Sequence, residues 1–254
     1  MMNYEIYPLP LARGRGSEGY MTYLLNYEKK VPVTNYCWYI KGPRQNIVVD
    51  TGCPIEIIKT RRPDSEKIMD FEDALERIAL APEKIDIIIQ THLHYDHCGN
   101  ASKCKNAEVI VQKKELEFAL APHPLFAGIY DRELFSRLKL HTVEGDTIID
   151  EGIQLLDTPG HSPGGQSVAI STAQGTAIIT GFCCNKHAFE LPDEIDGHKV
   201  TNSEQLESMW PVRAPGIHTD ALQAFGSALR VKGLADIIIP IHDPIFEKVK
   251  KIPA

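Results

Sequence analysis

An apolar run, Ile85-Asp86-Ile87-Ile88-Ile89-Gln90, leads straight into Thr91-His92-Leu93-His94-Tyr95-Asp96-His97. A run of this length rich in β-branched residues reads as a buried strand, which holds the backbone rigid at its exit. The residues that follow then project three imidazoles and a carboxylate from a sheet edge. Neutral imidazole and carboxylate are borderline-to-hard donors, suited to zinc, iron or manganese. Three histidines and one aspartate cannot all reach one ion from so short a run, so the natural division is two ions side by side. The bland alternative is a cluster of surface histidines. Against it, a chance H-x-H-x-D-H in a chain with ten histidines is expected on the order of once per thousand such sequences.

A closed site needs ligands that converge from several elements, and two more histidines sit where a strand ends. His161 lies in Asp157-Thr158-Pro159-Gly160-His161-Ser162-Pro163-Gly164-Gly165, where Pro and Gly stop the strand sharply and allow the backbone to approach an ion closely. His242 follows Ile237-Ile238-Ile239-Pro240-Ile241 in the same way. Either alone would read as a surface or core-capping histidine. Their shared position after a buried strand, in a chain that already carries half a metal site, makes both ligand candidates.

The rest of the composition narrows the function by exclusion. At 254 residues and 43% hydrophobic content the chain can bury one substantial core, and a single domain over residues 1–254 is expected. No apolar stretch reaches the length of a membrane span. Met1-Met2-Asn3-Tyr4-Glu5 lacks the pattern of a secretory leader, which gives a cytoplasmic expectation. The net charge of −7 is spread along the chain and offers no footprint for nucleic acid. The one basic cluster, Lys59-Thr60-Arg61-Arg62, is followed by Asp64, Glu66, Asp70, Glu72 and Asp73, and reads as a solvated face. Six cysteines, at 37, 53, 98, 104, 183 and 184, form no C-x-x-C pair and read mostly as buried thiols.

Strands are expected at Tyr4 to Leu11, Thr34 to Ile40, Asn46 to Asp50, Ile85 to Thr91, Glu108 to Gln112, Leu138 to Val143, Gln154 to Asp157, Ser167 to Ile170, Ala177 to Thr180 and Ile237 to Ile241. Helices are expected at Asp70 to Ala79, Lys113 to Ala119, Asp131 to Arg137, Ser203 to Trp210 and Thr219 to Lys232. Strands first in meanders and then alternating with helices suggest an α/β fold of two packed sheets flanked by helices, an αβ/βα four-layer sandwich.

Taken together, these motifs resemble the metallo-β-lactamase superfamily, and more narrowly its N-acyl-homoserine-lactonase-like branch. Val49-Asp50-Thr51-Gly52 is similar to an early strand-turn motif whose Asp supports the metal ligands. Thr91 to His97 matches the signature, Thr158 to His161 the third motif, and Pro240 to Asp243 the last; Pro215 to Asp220 resembles a segment of the lactonase-like branch. The resemblance implies the metallo-β-lactamase fold, with His92, His94 and His161 on one ion and Asp96, His97 and His242 on the other. The implied cofactor is two divalent ions, foremost zinc, with manganese or iron as alternatives. One departure stands out. Where the family places Gly-Asp, whose carboxylate bridges both ions, this chain has Gly181-Phe182-Cys183-Cys184. Either a cysteine thiolate replaces the carboxylate, or both ions stay without it, or one site is empty. By strand alternation Cys184 points with Phe182, whereas a bulge would bring Cys183 into the slot. A tyrosine common in this branch would fall at Asn185.

The chemistry implied is attack by a metal-bound hydroxide on the carbonyl of a lactone, such as an N-acyl-homoserine lactone. Asp96 would orient the nucleophile or accept its proton, and His218 would assist the leaving oxygen. The alternatives are hydrolysis of another acyl bond (cyclic amide, thioester or β-lactam) and oxygen chemistry at a single iron. The expected partner is a small-molecule substrate, in a pocket built from Phe118 to Phe135, Phe182 to Phe189 and Val212 to His218, and a homodimer is compatible with the sequence.

Overall fold

A computed structural model describes residues 3–253; Met1, Met2 and Ala254 lie outside the described residues. Seven strands form the first sheet: β1 (Glu5–Ser17), β2 (Lys30–Lys41), β3 (Asn46–Val49), β4 (Glu66–Lys67), β5 (Ile87–Ile89), β6 (Glu108–Gln112) and β7 (Leu140–Val143), in the order β4-β1-β2-β3-β5-β6-β7. The second contains β8 (Thr147–Asp150), β9 (Ile153–Asp157), β10 (Gln166–Thr172) and β11 (Gly175–Ile179). A small ribbon of β12 (Glu194–Ile195) and β13 (His198–Lys199) intervenes before β14 (Ile237–Ile239), which completes the second sheet beside β11.

The helices are α1 (Glu18–Met21), α2 (Ile55–Arg61), α3 (Phe71–Glu76), α4 (Tyr95–Cys98), α5 (Lys113–Leu120), α6 (Arg132–Phe135), α7 (Ser203–Met209) and α8 (Ala221–Leu234). Short 3₁₀ turns fill several connections.

Side-chain alternation divides the apolar residues among four layers. Ile87 and Ile89 of β5 point between the sheets, where Ile47, Val49, Trp38 and Ile110 meet Leu155, Val168, Ile170, Ile179 and Ile239 of the second sheet. Ile88 points the other way, to Val48, Val109 and the α3 residues Phe71, Ala74 and Leu75. Ile178 and Leu156 likewise leave the second sheet outward to meet Ala228 and Val231 of α8. Strands covered on both faces need no polar positions, which is why β5 and β14 are uninterrupted isoleucine triplets. The result is the αβ/βα sandwich expected from the sequence.

Parallel pairing sets the position of the site. Val49 is in register with Ile89, Ile89 with Ile110, and Ile179 with Ile239. The chain therefore leaves β3, β5, β6 and β14 at their carboxyl ends, and loops from such ends form the crevice in which parallel sheets bind ligands. Several expected boundaries shift. β5 is three residues rather than the seven of Ile85 to Thr91, and the one-turn helix α4 takes up the end of the histidine run. β1 continues to Ser17 through a register shift between Pro10 and Ala12. α2 was not expected: seven residues are too few to display helical periodicity.

Candidate metal centre

The structure brings all six candidate ligands together at the carboxyl ends of the strands, buried, in two groups. His92, His94 and His161 form one; Asp96, His97 and His242 form the other; within each the potential ligand atoms lie within 4.8 Å of one another.

Four of the five imidazoles are held by hydrogen bonds at Nδ1. Asp50, which leaves β3 with a positive φ of 53°, accepts from Thr91 N at 2.8 Å and from Thr91 Oγ1 at 2.7 Å. Its Oδ2 also sits 2.6 Å from His97 Nδ1. Because the Thr91 hydroxyl donates to Asp50, its oxygen is left to accept from His92 Nδ1, 2.9 Å away. His161 Nδ1 donates to Ile217 O at 2.6 Å and His242 Nδ1 to Thr34 O at 3.0 Å. In four of the five histidines the Nδ1 proton is thus committed to the protein, and Nε2 is free to face the centre, the usual arrangement behind a metal-bound histidine.

Charge and burial agree with that reading. Burial pushes His92 and His94 well below the ordinary histidine range, helped by the imidazoles facing them, and takes His161 down to about 4 and His242 to about 3. Burial would also lower His97, but Asp50 and Asp96 outweigh it and raise it. For Asp96 burial acts upward, yet His97 and Arg62 hold the carboxyl well below the usual carboxylate range; Asn35 Nδ2 donates to its Oδ2 at 3.0 Å.

The residues fit a pair of divalent cations, and one contact decides it. His92 Nε2 and His161 Nε2 face each other at 3.3 Å, although both rings carry their proton on Nδ1. Two imidazole lone pairs directed at each other across a buried space are repulsive unless a cation stands between or beside them, and nitrogen donors of this kind suit zinc.

The pocket over the centre has a volume of about 200 Å³ and is lined by His94, Asp96, His97, His161 and His242 together with Arg61, Arg62, Tyr95, Gly128, Ile129, Cys183 and Ile217. Each of the three expected segments supplies part of this wall: Gly128 and Ile129, Cys183, and Ile217. The arginines are a correction. Lys59 to Arg62 was expected to be a solvated face, but α2 ends against the pocket and delivers both guanidinium groups to it. Two of the five acids thought to offset them are engaged elsewhere, Asp70 with Lys67 and Glu72 with Lys103.

The altered Phe-Cys-Cys segment also resolves. Phe182 packs in the core under α8 with Leu156, Ile178 and Cys184, so it does not occupy a carboxylate position over the ions. Cys184 points with Phe182 into the core although β11 has already ended at Ile179, and its thiol, pushed up to about 12 by burial, meets Thr180 Oγ1. Cys183 faces the pocket, against Met21 and Val33, and burial raises its thiol further. Neither cysteine belongs to either ligand group. Asn185 caps a 3₁₀ turn, its Oδ1 accepting from Thr22 Oγ1 and His187 N, and does not line the pocket.

His218 sits beside the pocket rather than in its lining, with Nδ1 on Pro215 O at 2.8 Å and its ring edge-on to Tyr23. The close backbone approach at Gly160 is made to helix α8 and not to an ion. A Cβ there would lie 2.1 Å from Ala224 N, and φ is +119°. Gly216 works similarly, its α-carbon so near Gly19 O that the loop can carry the Ile217 carbonyl to His161.

Glu115 escaped the sequence reading. Fully buried in α5, it accepts from Leu93 N at 2.9 Å, Tyr130 Oη at 3.1 Å and Gly164 N at 3.2 Å, which ties the histidine run to the loop of His161. Its position just past β6, at the same sheet edge as the ligands, was the available signal.

A model of the metallo-beta-lactamase superfamily matches residues 31–181, more than half of the chain. The chain belongs to the metallo-beta-lactamase superfamily. Within the superfamily it is similar to the N-acyl homoserine lactonase AiiA of Bacillus thuringiensis subsp. kurstaki, 28% identical over 207 residues that cover 75% of this chain and 80% of that protein. It is also similar to the N-acyl homoserine lactonase AttM of Rhizobium radiobacter, 28% identical over 194 residues and 69% of each. Among solved superfamily structures, an N-acyl homoserine lactone hydrolase with the product N-hexanoyl-L-homoserine at its catalytic metal centre superposes with a TM-score of 0.74 at 27% identity, covering 98% of this chain and 96% of that one.

Proposed function

We propose that this protein is a metal-dependent lactonase that holds two divalent ions, zinc foremost, and opens the ring of a lactone as the N-acyl homoserine lactone hydrolases similar to it do. The observation that carries the reading is the pair of buried triads, each with imidazole Nε2 atoms freed by committed Nδ1 protons and the His92 and His161 lone pairs opposed. His92, His94 and His161 would hold one ion and Asp96, His97 and His242 the other. When bound, such ions lower the pKa of water toward neutrality and polarise a carbonyl.

The chain's own residues then divide the remaining work. Asp50 and Thr91 fix the tautomers of His97 and His92, so the ligand atoms are set before substrate arrives. Asn35 holds Asp96 Oδ2, which leaves Oδ1, 3.8 Å from His97 Nε2, as the oxygen that can accept a proton from the nucleophile and return it to the leaving ring oxygen. Ile129, Cys183 and Ile217 exclude water from one side of the substrate ring. His218 braces the loop that supplies Ile217 O; a direct role at the leaving oxygen requires its ring to turn into the pocket.

None of the described helices is long and apolar enough to cross a membrane. Six free, buried cysteines favour a reducing compartment, and we infer a cytoplasmic site of action and a single hydrolase domain.

The test is a panel of lactones, thiolactones, cyclic amides and thioesters assayed with protein of measured metal content. Ring opening of lactones that is lost on chelation and restored by zinc, manganese or cobalt is the expected result. Activity confined to thioesters or cyclic amides would replace the lactone reading, and activity in metal-free protein would end it.

A further inference from the structure

Arg61 and Arg62 are neighbours in sequence and both reach the pocket, but only one is spoken for. The Arg61 guanidinium lies 4.4 Å over the Tyr95 ring, donates to Gly128 O at 3.1 Å and pairs with Asp131 at 3.4 Å. Those contacts pin it as part of the wall. Arg62, the residue after the last turn of α2, is half-buried in the same wall, and among the described residues its side chain makes no hydrogen bond or ion pair. Its charge acts on Asp96, a candidate ion ligand, but no ion pair joins them, and a partly desolvated guanidinium whose donors are unfilled is found where a ligand completes it.

We propose that Arg62 binds a carboxylate carried by the substrate, so that the lactone this enzyme opens is a small ring acid rather than a neutral lactone with a long acyl chain. The inference rests on the lactonase reading above and specifies its substrate. Three further observations support it. The guanidinium is a planar fork of donors that matches a carboxylate two bonds at a time. The pocket is net positive: two divalent cations would face, among the carboxylates of its lining, only Asp96 and, behind His97, Asp50. Arg62 adds to that excess, which an anionic substrate offsets and a neutral one does not. Lastly, about 200 Å³ is below the roughly 300–1,000 Å³ usual for drug-sized ligands, enough for a substituted five- or six-membered ring and too little for an extended chain.

The experiment compares a five-membered lactone bearing a ring carboxylate with its isosteric, neutral carboxamide, on metal-loaded wild type, Arg62→Gln and Arg62→Lys. Calorimetric binding of cyclopentanecarboxylate and cyclopentanecarboxamide, which cannot be opened, supplies a readout independent of turnover. The wild type should prefer the acid in kcat/KM by about 10- to 100-fold, the range of a charge-assisted hydrogen bond. Arg62→Gln should collapse that ratio toward one by raising KM for the acid, and should weaken cyclopentanecarboxylate binding by a similar factor without changing carboxamide binding. Arg62→Lys, which keeps the charge but not the fork, should fall between. Metal content and melting temperature identify a misfolded variant, in which case Arg62→Lys decides. Equal turnover of acid and amide by the wild type, or an equal loss on both in Arg62→Gln, overturns the proposal and leaves the lactonase reading intact. If neither lactone is opened while carboxylate binding still depends on Arg62, the anion site stands and the lactonase reading falls.

Discussion

The strand-end loops and the wall that faces them are held by very different means. In the loops, His97 leans on Asp50, His92 on Thr91 and His242 on Thr34 O, in or just past the sheet strands, and His161 leans on Ile217 O of the facing wall. Glu115 then joins two of the loops to each other. Across the pocket, Ile129 and Cys183 contribute surfaces rather than networks, and the Arg62 side chain makes no hydrogen bond or ion pair among the described residues. Fixing the reacting geometry demands redundancy, because an error on the order of 1 Å there costs about a hundredfold in rate. A wall that selects the substrate needs only shape and one or two charges, so it can differ between relatives that share their chemistry.

The sharpest way to break this contrast is to remove a ligand. His92→Ala or His161→Ala should lose bound metal and lower kcat/KM by about a thousandfold or more, since the nucleophile depends on the ion. Elemental analysis beside the assay checks it; full metal content and activity in His161→Ala would remove that residue from the ligand set. One layer out, Asp50→Asn should weaken metal binding by about 10- to 100-fold in chelator competition, because the amide cannot hold His97 and Thr91 as the carboxylate does. An unchanged affinity would mean that the loops are less tightly determined than the hydrogen bonds indicate.

On the wall side, the best-braced part is the base of α1. There burial would raise the Glu18 carboxyl, but Asn26 and His187 outweigh it and lower its pKa. Its folded pKa therefore lies below the unfolded value of about 4.3, so its stabilisation is full above that value and disappears as the pH falls through the folded pKa. Glu18→Gln should be less stable than the wild type at pH 7, with the gap in melting temperature narrowing as the solution is acidified. A gap independent of pH would show that packing, not the ionised carboxylate, is what the substitution removes. The smallest effects are expected at His218 and Cys183. His218→Ala should change kcat by less than about fivefold if it only braces its loop, against the roughly 10²–10⁴-fold of a general acid.

Much of this site was legible in the sequence because ligand-bearing loops follow apolar strands, and an isoleucine triplet announces a strand buried on both faces. His92 to His97, His161 and His242 could be found that way, and so could the helix-sheet-sheet-helix layering. The wall was not legible for a physical reason. Whether a basic run such as Lys59 to Arg62 faces solvent or a pocket depends on the direction in which a seven-residue helix ends, which is a tertiary matter. Glu115 was hidden likewise: beyond its place just past β6, nothing in a helix that also carries Glu117 shows that Leu93, Tyr130 and Gly164 will close on it. For Phe182 to Cys184 the sequence left two orientations open, because alternation holds only while a strand continues, and β11 ends at Ile179.

The proposed centre, two ions on six ligands without sulfur, is tested most directly by the metal stoichiometry and cobalt spectrum of the wild type and Cys183→Ala. Thiolate coordination produces an intense near-ultraviolet charge-transfer band that imidazole and carboxylate lack. Two cobalt ions per chain in both proteins, with no such band in either, is the expected result. A band in the wild type that disappears in Cys183→Ala together with one of the two ions would contradict it and make Cys183 a ligand.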